Sequence, residues 1–352
     1  MDISVVRQVN CPVTNAPFFL VKNEQSPTYN EFNNWLTQLE QKLSNGKYVN
    51  LSIDCEGFML GTTYPLGCVQ MGEIFNDTYN PTKGGRPPAV NVEKGFILFS
   101  PSSNAIKERL TRIMNNDNTT LYTFDFTHDF GSMIADGYNL TLKHVIDAQV
   151  ASSESSNYIE NTRIRGLKWF IDQAASMDRF GRNASRYMSI DKGLYLDKIQ
   201  FLNLDSPNRF DLMLSNDFLS MAAVDVYATG LACIFALSRN ANSVIRKSAE
   251  KVREFFNWQR KCGSIMAASA KRQIAFFNQY RARDFQYVRT DASGPDDVKR
   301  LLEDWKSLYQ IVESKKILRS SANVNLRNDV LERSFPLICQ NLDKYRHIIE
   351  TL

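Results

Sequence analysis

From Val49 onward apolar and polar residues alternate, with Val49, Leu51, Ile53 and Cys55 set against Asn50, Ser52, Asp54 and Glu56. A period of two predicts a β-strand packed on one side, here ended by Gly57. Leu66 to Met71 reads as the strand that returns from it. Upstream, Thr28-Tyr29-Asn30-Glu31 has the spacing of a capping box. Phe32, Trp35, Leu36, Leu39 and Leu43 follow at helical spacing, and Asn45-Gly46 stops that helix. Downstream, Phe96-Ile97-Leu98-Phe99 predicts a short buried strand, and Ile106, Leu110, Ile113 and Met114 predict one apolar face of a helix. Leu121 to Phe126 reads as a strand, Asp129 to Ala135 as a helix, and Leu142 to Asp147 as a strand or turn. Ile164, Leu167, Trp169, Phe170 and Ile171 mark another helix. The clearest helix runs from Asn216 to Leu237, with Leu219, Ala222, Val226, Gly230, Cys233 and Leu237 on one face. Two stretches have no period. Residues 174–212 carry no assignable pattern. Asn76 to Gly95, broken by Pro81, Gly84, Gly85, Pro87 and Pro88, reads as a long loop, either a surface insertion or a flap.

This order of elements predicts an α/β fold, a mixed sheet with flanking helices, followed by a mainly helical C-terminal region. Residues 1–27 form an N-terminal arm with one edge strand at Phe18-Phe19-Leu20-Val21. Residues 28–238 form the sheet domain, and 239–352 a basic helical region. Helix breaks are expected there near Gly263 and Gly294-Pro295. Val298, Leu301, Leu302, Trp305, Leu308 and Tyr309 mark its last helix.

Composition changes this picture little. At 43% hydrophobic and 23% charged, the 352 residues have the balance of an ordinary globular protein. No run approaches about 18 apolar residues, so no membrane association is expected. The N-terminus lacks the basic-then-apolar order of a signal peptide. Six scattered cysteines without a CxxC spacing read as reduced core thiols, which fits a cytoplasmic or nuclear setting. With three histidines, that scatter argues against zinc. Charge is more telling. Between Arg239 and Arg289 twelve Lys/Arg stand against three acids, while the whole chain carries only +4. Nucleic acid is the partner such a face fits best.

The acids supply the candidate chemistry. Strand geometry puts Asp54 and Glu56 on one face, about 6.6 Å apart. Two carboxylates so close resist joint ionisation unless a cation sits between them. Oxygen donors of this kind suit Mg²⁺ or Mn²⁺ better than zinc. An Asp-x-Glu at a strand end is by itself ordinarily a solvated face, and two further acids change its weight. Asp129 follows the predicted strand that ends at Phe126. Asp225 interrupts the apolar run Met221-Ala222-Ala223-Val224-Asp225-Val226, where burial is costly unless a cation meets it. The alternative puts Asp225 at the edge of the apolar face.

These segments resemble the DEDD superfamily of 3′–5′ exonucleases, in its ribonuclease D and Werner-exonuclease branch. Ile53-Asp54-Cys55-Glu56-Gly57 is similar to the first motif, an Asp-x-Glu on the opening strand. With Leu66-Gly67-Cys68-Val69-Gln70-Met71 after it, the segment is close to that of Egalitarian-like eukaryotic members. Phe124-Asp125-Phe126-Thr127-His128-Asp129-Phe130-Gly131-Ser132-Met133 resembles the second motif, and Leu142 to Val150 the strand that follows it. Met221-Ala222-Ala223-Val224-Asp225 resembles the third motif, on a late helix. The resemblance spans about Asn50 to Leu237 and implies a ribonuclease H-like sheet. It also implies two-metal phosphodiester hydrolysis, with Asp54, Glu56, Asp129 and Asp225 as the catalytic acids that hold two Mg²⁺ or Mn²⁺ ions.

One departure bears on activity. This branch places a Tyr four residues before the last Asp, and related members a His five before it; here Met221 and Ser220 occupy those positions. Loss of such a helper typically costs about 10²–10⁴ in rate. Two function classes follow. One is a 3′–5′ exonuclease on single-stranded nucleic acid, RNA in preference to DNA. The other is a catalytically weak or inactive exonuclease fold serving as an RNA-binding adaptor. The basic stretch serves either class, with Arg246, Lys247, Arg253 and Lys261 as phosphate contacts and Phe255, Phe256 and Trp258 among them. At helical spacing the aromatics equally suit the buried side of an amphipathic helix. The C-terminal helices also offer a surface for a protein partner.

Overall fold

The computed structural model describes residues 8–56, 66–75, 77–100, 102–154, 166–189 and 215–262. Gly57, residues 190–214 and all residues after Cys262, including the expected C-terminal helices, lie outside them. Seven strands form one mixed sheet: β1 (Gln8–Asn10), β2 (Pro17–Val21), β3 (Val49–Glu56), β4 (Cys68–Glu73), β5 (Gly95–Phe99), β6 (Thr119–Thr123) and β7 (Val145–Asp147). Their order is β1-β2-β5-β4-β3-β6-β7. β5, β4 and β3 pair antiparallel, and β6 and β7 continue parallel to β3. An antiparallel meander flanked by parallel crossover strands is the ribonuclease H-like arrangement. The expected edge strand at Phe18–Val21 is interior instead: β2 pairs antiparallel with β1 and parallel with β5.

Helices cover both faces. On one side α1 (Tyr29–Ser44), α2 (Asn104–Met114) and α3 (Phe126–Ala135) pack on Val49, Leu51, Ile53 and Cys55 of β3. Arg109 of α2 donates to both carboxylate oxygens of Glu40 at 2.8 and 2.7 Å, tying α2 to α1. On the other side lie α4 (Leu167–Ala174), α5 (181–189) and the first half of α6 (Asn216–Cys262), whose second half reaches the α1–α3 side through Phe255. Rings of Trp169 and Phe170 meet Phe235 edge-on and seal α4 against α6. The first polar positions of β3 are therefore not solvated, which corrects the one-sided strand, while Asp54 and Glu56 stay partly exposed. Asn50 and Ser52 are fully buried. They are satisfied by Tyr122 Oη, which donates to Asn50 Oδ1 (3.0 Å), and by the Val226 carbonyl, which accepts from Ser52 Oγ (2.8 Å). Paired in this way, buried polar groups cost little.

Three further expectations change. The capping box does not form: Thr28 stands at the N-cap of α1 without capping it, and its hydroxyl donates instead to the Leu20 carbonyl of β2. Phe126 opens α3 rather than closing β6, because Asp125 takes a left-handed conformation (φ 58°, ψ 53°) that turns the chain. The long loop is exposed or half-buried for most of its length, as a surface insertion would be, but it contains a short 3-10 turn (Pro81–Lys83) and anchors itself through buried Val90 and Val92. α6 has a non-helical residue at Asn240, and its segment Asn216–Arg253 is long and apolar enough to cross a membrane. That apolar window is 94% buried inside the fold, as a core helix would be.

Candidate metal centre

The site assembles at the carboxyl ends of β3 and β6, where parallel strands of open sheets commonly present ligands. Alternation along β3 turns Asp54 and Glu56 toward α6, the side that also carries Asn50 and Ser52. The Ser52–Val226 hydrogen bond draws α6 down next to Asp225, which is wholly buried. Carboxylate oxygens of Asp54, Glu56 and Asp225 lie within 4.8 Å of one another. The strand and the interrupted apolar helix thus meet, and Asp225 is no face-edge residue.

Asp129 lies outside that group of three but next to it. It occupies the first turn of α3 and is 5% exposed. Burial, then the charges of Asp54, Asp125, Glu56 and Asp147, push its carboxyl well above the usual carboxylate range. Burial, then the charges of Asp54 and Glu56 and, for Cys55, of Asp129, also push the thiols of Cys55 and Cys68 up. So much negative charge in a buried corner suits a hard divalent cation, and the donor set is all oxygen.

The structure adds a residue that pattern reading missed. Gln70 is fully buried and pairs with Asp54 in the β3–β4 register. Its side-chain amide donates to Asp54 Oδ2 at 2.8 Å and Glu56 Oε1 at 3.4 Å, and its carbonyl oxygen accepts from Cys68 Sγ at 3.8 Å. The amide thereby orients two carboxylates whose like charges would otherwise push them apart.

The helper positions are poor in chemistry. Met221 is 1% exposed in the apolar cluster under the sheet, and Ser220 is half-buried. Tyr227 donates to Asp178 Oδ1, away from the acids. Of the expected phosphate contacts, Arg253 is exposed, Lys247 is half-buried, and exposed Arg246 pairs with Glu250 at 2.9 Å. Lys261 lies in α6, and its side chain is outside the described residues.

No protein-family model and no curated protein matches this chain. Among solved structures, it is similar to the catalytic core of RRP6 from Trypanosoma brucei, at 12% identity and a TM-score of 0.41, covering 99% of this chain and 83% of that one. A mutant of the same core gives 11% and 0.36, over 89% and 78% of the two chains. RNase D of Escherichia coli, an exoribonuclease involved in structured RNA processing, gives 14% and 0.40, over 95% and 76%. Overlays this loose do not decide a function, which is left to the residues themselves.

Proposed function

We propose that this chain is a metal-dependent 3′–5′ exonuclease of the DEDD superfamily, close to its Egalitarian-like members and acting on single-stranded RNA in preference to DNA. The observation that carries the reading is the convergence of Asp54, Glu56 and Asp225 within 4.8 Å, from a strand and a helix 169 residues apart in sequence. Asp129 beside them completes the acidic corner. Asp54, Glu56, Asp129 and Asp225 would hold two Mg²⁺ or Mn²⁺ ions. Bound there, the ions would supply an activated water and neutralise charge developing on the scissile phosphate. Gln70 holds Asp54 and Glu56 in register. The apolar Met221 offers no proton acceptor, so hydrolysis is expected to be slower by about 10²–10⁴ than with a helper present. The exposed Arg246 and Arg253 would draw the phosphate backbone along the second half of α6.

The adaptor reading draws on the same Met221 and Ser220, which leave the acids without a proton-transfer partner at either usual position. One assay separates the two. Single-stranded RNA labelled at its 3′ or its 5′ end is incubated with Mn²⁺ and either wild type or Asp54→Asn. Early release of 3′-labelled mononucleotide by wild type, reduced at least about 10²-fold in the variant, supports the nuclease. RNA binding with no hydrolysis by either protein supports the adaptor.

A further inference from the structure

Beyond the four acids, one cation is buried beneath the same corner. Lys251 lies in the second half of α6, on the stripe Val244, Ser248, Lys251 and Phe255, all buried. Helical spacing calls for an apolar residue there. Instead its ammonium, with side-chain exposure of 10%, meets three acceptors: Asp125 Oδ1 at 2.9 Å, Asp147 Oδ2, and Gln149 Oε1 at 3.3 Å. Three donors face three acceptors, so the ammonium is satisfied. It also sits 5.0 Å from the centre of the Phe126 ring.

The partners of Lys251 define where α3 begins. Asp147 is wholly buried, and its Oδ1 accepts from the backbone N–H of Asp125 (2.9 Å) and of Gln149 (3.0 Å). Ser248, one turn before Lys251, accepts the N–H of Asp147 at 3.0 Å. Asp125 is the left-handed residue at the start of α3 (φ 58°), a conformation that crowds Cβ and that non-glycine residues hold chiefly where their surroundings support it. Its backbone N–H is held by Asp147 and its carboxylate by Lys251. Asp129 follows four residues later, in the first turn of α3. The charges of Asp125 and Asp147 both reach it.

We infer that Lys251 is a positioning residue for the metal centre: by clamping Asp125 and Asp147 it fixes the turn that sets Asp129 against Asp54, Glu56 and Asp225. It also engages two carboxylates that would otherwise compete with the centre for a divalent ion. One helix then serves the site twice, with Asp225 from its first half and Lys251 from its second, across the break at Asn240. The inference rests on the metal-centre reading above and asks which residue keeps the fourth acid in place.

Mn²⁺ binding, followed by loss of the free-ion electron paramagnetic resonance signal, tests it on the full chain without reference to activity. Wild type is expected to bind two ions. Lys251→Met should retain the ion held by Asp54, Glu56 and Asp225 and weaken the second by about 10–100-fold, the usual effect of losing support behind a metal ligand. Lys251→Arg, which keeps the charge, should restore the second ion. Should Lys251→Met fail to fold, Asp125→Gly, which suits the left-handed backbone but removes the carboxylate that Lys251 holds, should show the same selective loss. Wild-type affinity for both ions in the folded variant overturns the inference and leaves the metal centre standing. A wild type that binds no Mn²⁺ overturns the metal centre, and the role of Lys251 with it.

Discussion

Asp129 is the residue at which the electrostatics of the corner can be measured directly. Its carboxyl is raised by burial first and by neighbouring acids second. A carboxyl raised in the folded state stabilises fully below its unfolded pKa, about 3.9, and that contribution is lost as pH rises through the folded value. Metal-free protein is therefore expected to melt at lower temperature as pH rises above about 4. Mn²⁺ binds the ionised acids, so the stabilisation that it provides should grow over the same range, reaching about 2.7 kcal/mol at a hundredfold excess over Kd. Thermal melts at several pH values with and without Mn²⁺ check this; a metal effect independent of pH would contradict it. Met221 and Ser220 invite a gain of function. A Tyr at 221 must enter a packed core, at a cost of about 1–3 kcal/mol. Ser220 is half-buried, so Ser220→His has more room. Single-turnover hydrolysis in Mn²⁺ should rise more in Ser220→His than in Met221→Tyr, and in neither once Asp54→Asn is added. Asp225 was legible because an acid in an apolar run breaks a local rule, whereas Asp54 and Glu56 sit at ordinary polar positions of a strand and drew weight from the motifs around them. Gln70 was not legible. Its value comes from the β3–β4 register, which the long connection between Glu56 and Cys68 hides from the sequence.

At the scale of elements, the position of α6 decides whether Asp225 reaches β3. Two glycines permit its close approach. A Cβ on Gly72 of β4 would stand 3.2 Å from Val226 Cγ1, and one on Gly230 of α6 would stand 3.2 Å from Ile74 Cδ1. Val226 is next to Asp225 and accepts the Ser52 hydroxyl, so a wedge at Gly72 acts on the acid cluster as well as on packing. Gly72→Val is expected to lower unfolding free energy by about 1–3 kcal/mol. It should also weaken Mn²⁺ binding. Gly166→Ala, at a position with open space around it, should change neither. Urea denaturation and Mn²⁺ titration of both variants check this, and an unaltered metal affinity in Gly72→Val would separate helix packing from the site. Periodicity found the major strands and helices because their buried faces are regular. It misplaced the junction at Phe126 because the left-handed turn at Asp125 is a tertiary product. Asp147 and Lys251, 22 and 126 residues away, hold it. The capping box failed for a similar reason: the Thr28 hydroxyl is turned to donate to the Leu20 carbonyl, and its oxygen does not accept the N–H groups of α1.

For the molecule as a whole, the question is what the basic surplus between Arg239 and Arg289 does, given that part of it is used internally. Lys251 is engaged by Asp125 and Asp147 and is not available to a ligand. Arg246 is held by Glu250, but as an exposed pair of the kind worth about 0–1 kcal/mol, readily exchanged for a phosphate. Arg253 is exposed at the rim of a cavity of about 530 Å³, whose lining among the described residues includes Lys143, His144 and Phe256 and no carboxylate. Affinity for single-stranded RNA should therefore fall with salt, with a log–log slope of about −0.7 for each phosphate neutralised. Fluorescence anisotropy in EDTA, across a range of KCl concentrations, measures that slope without hydrolysis. Charge reversal at Arg246, Lys247, Arg253 and Lys261 together is expected to weaken binding and flatten the slope. Lys251→Met, which removes a cation of the same stretch but a buried one, is expected to leave the slope unchanged. If the fourfold reversal alters neither affinity nor slope, the basic face is merely solvated, and substrate must be held at the acid cluster by contacts that do not depend on it.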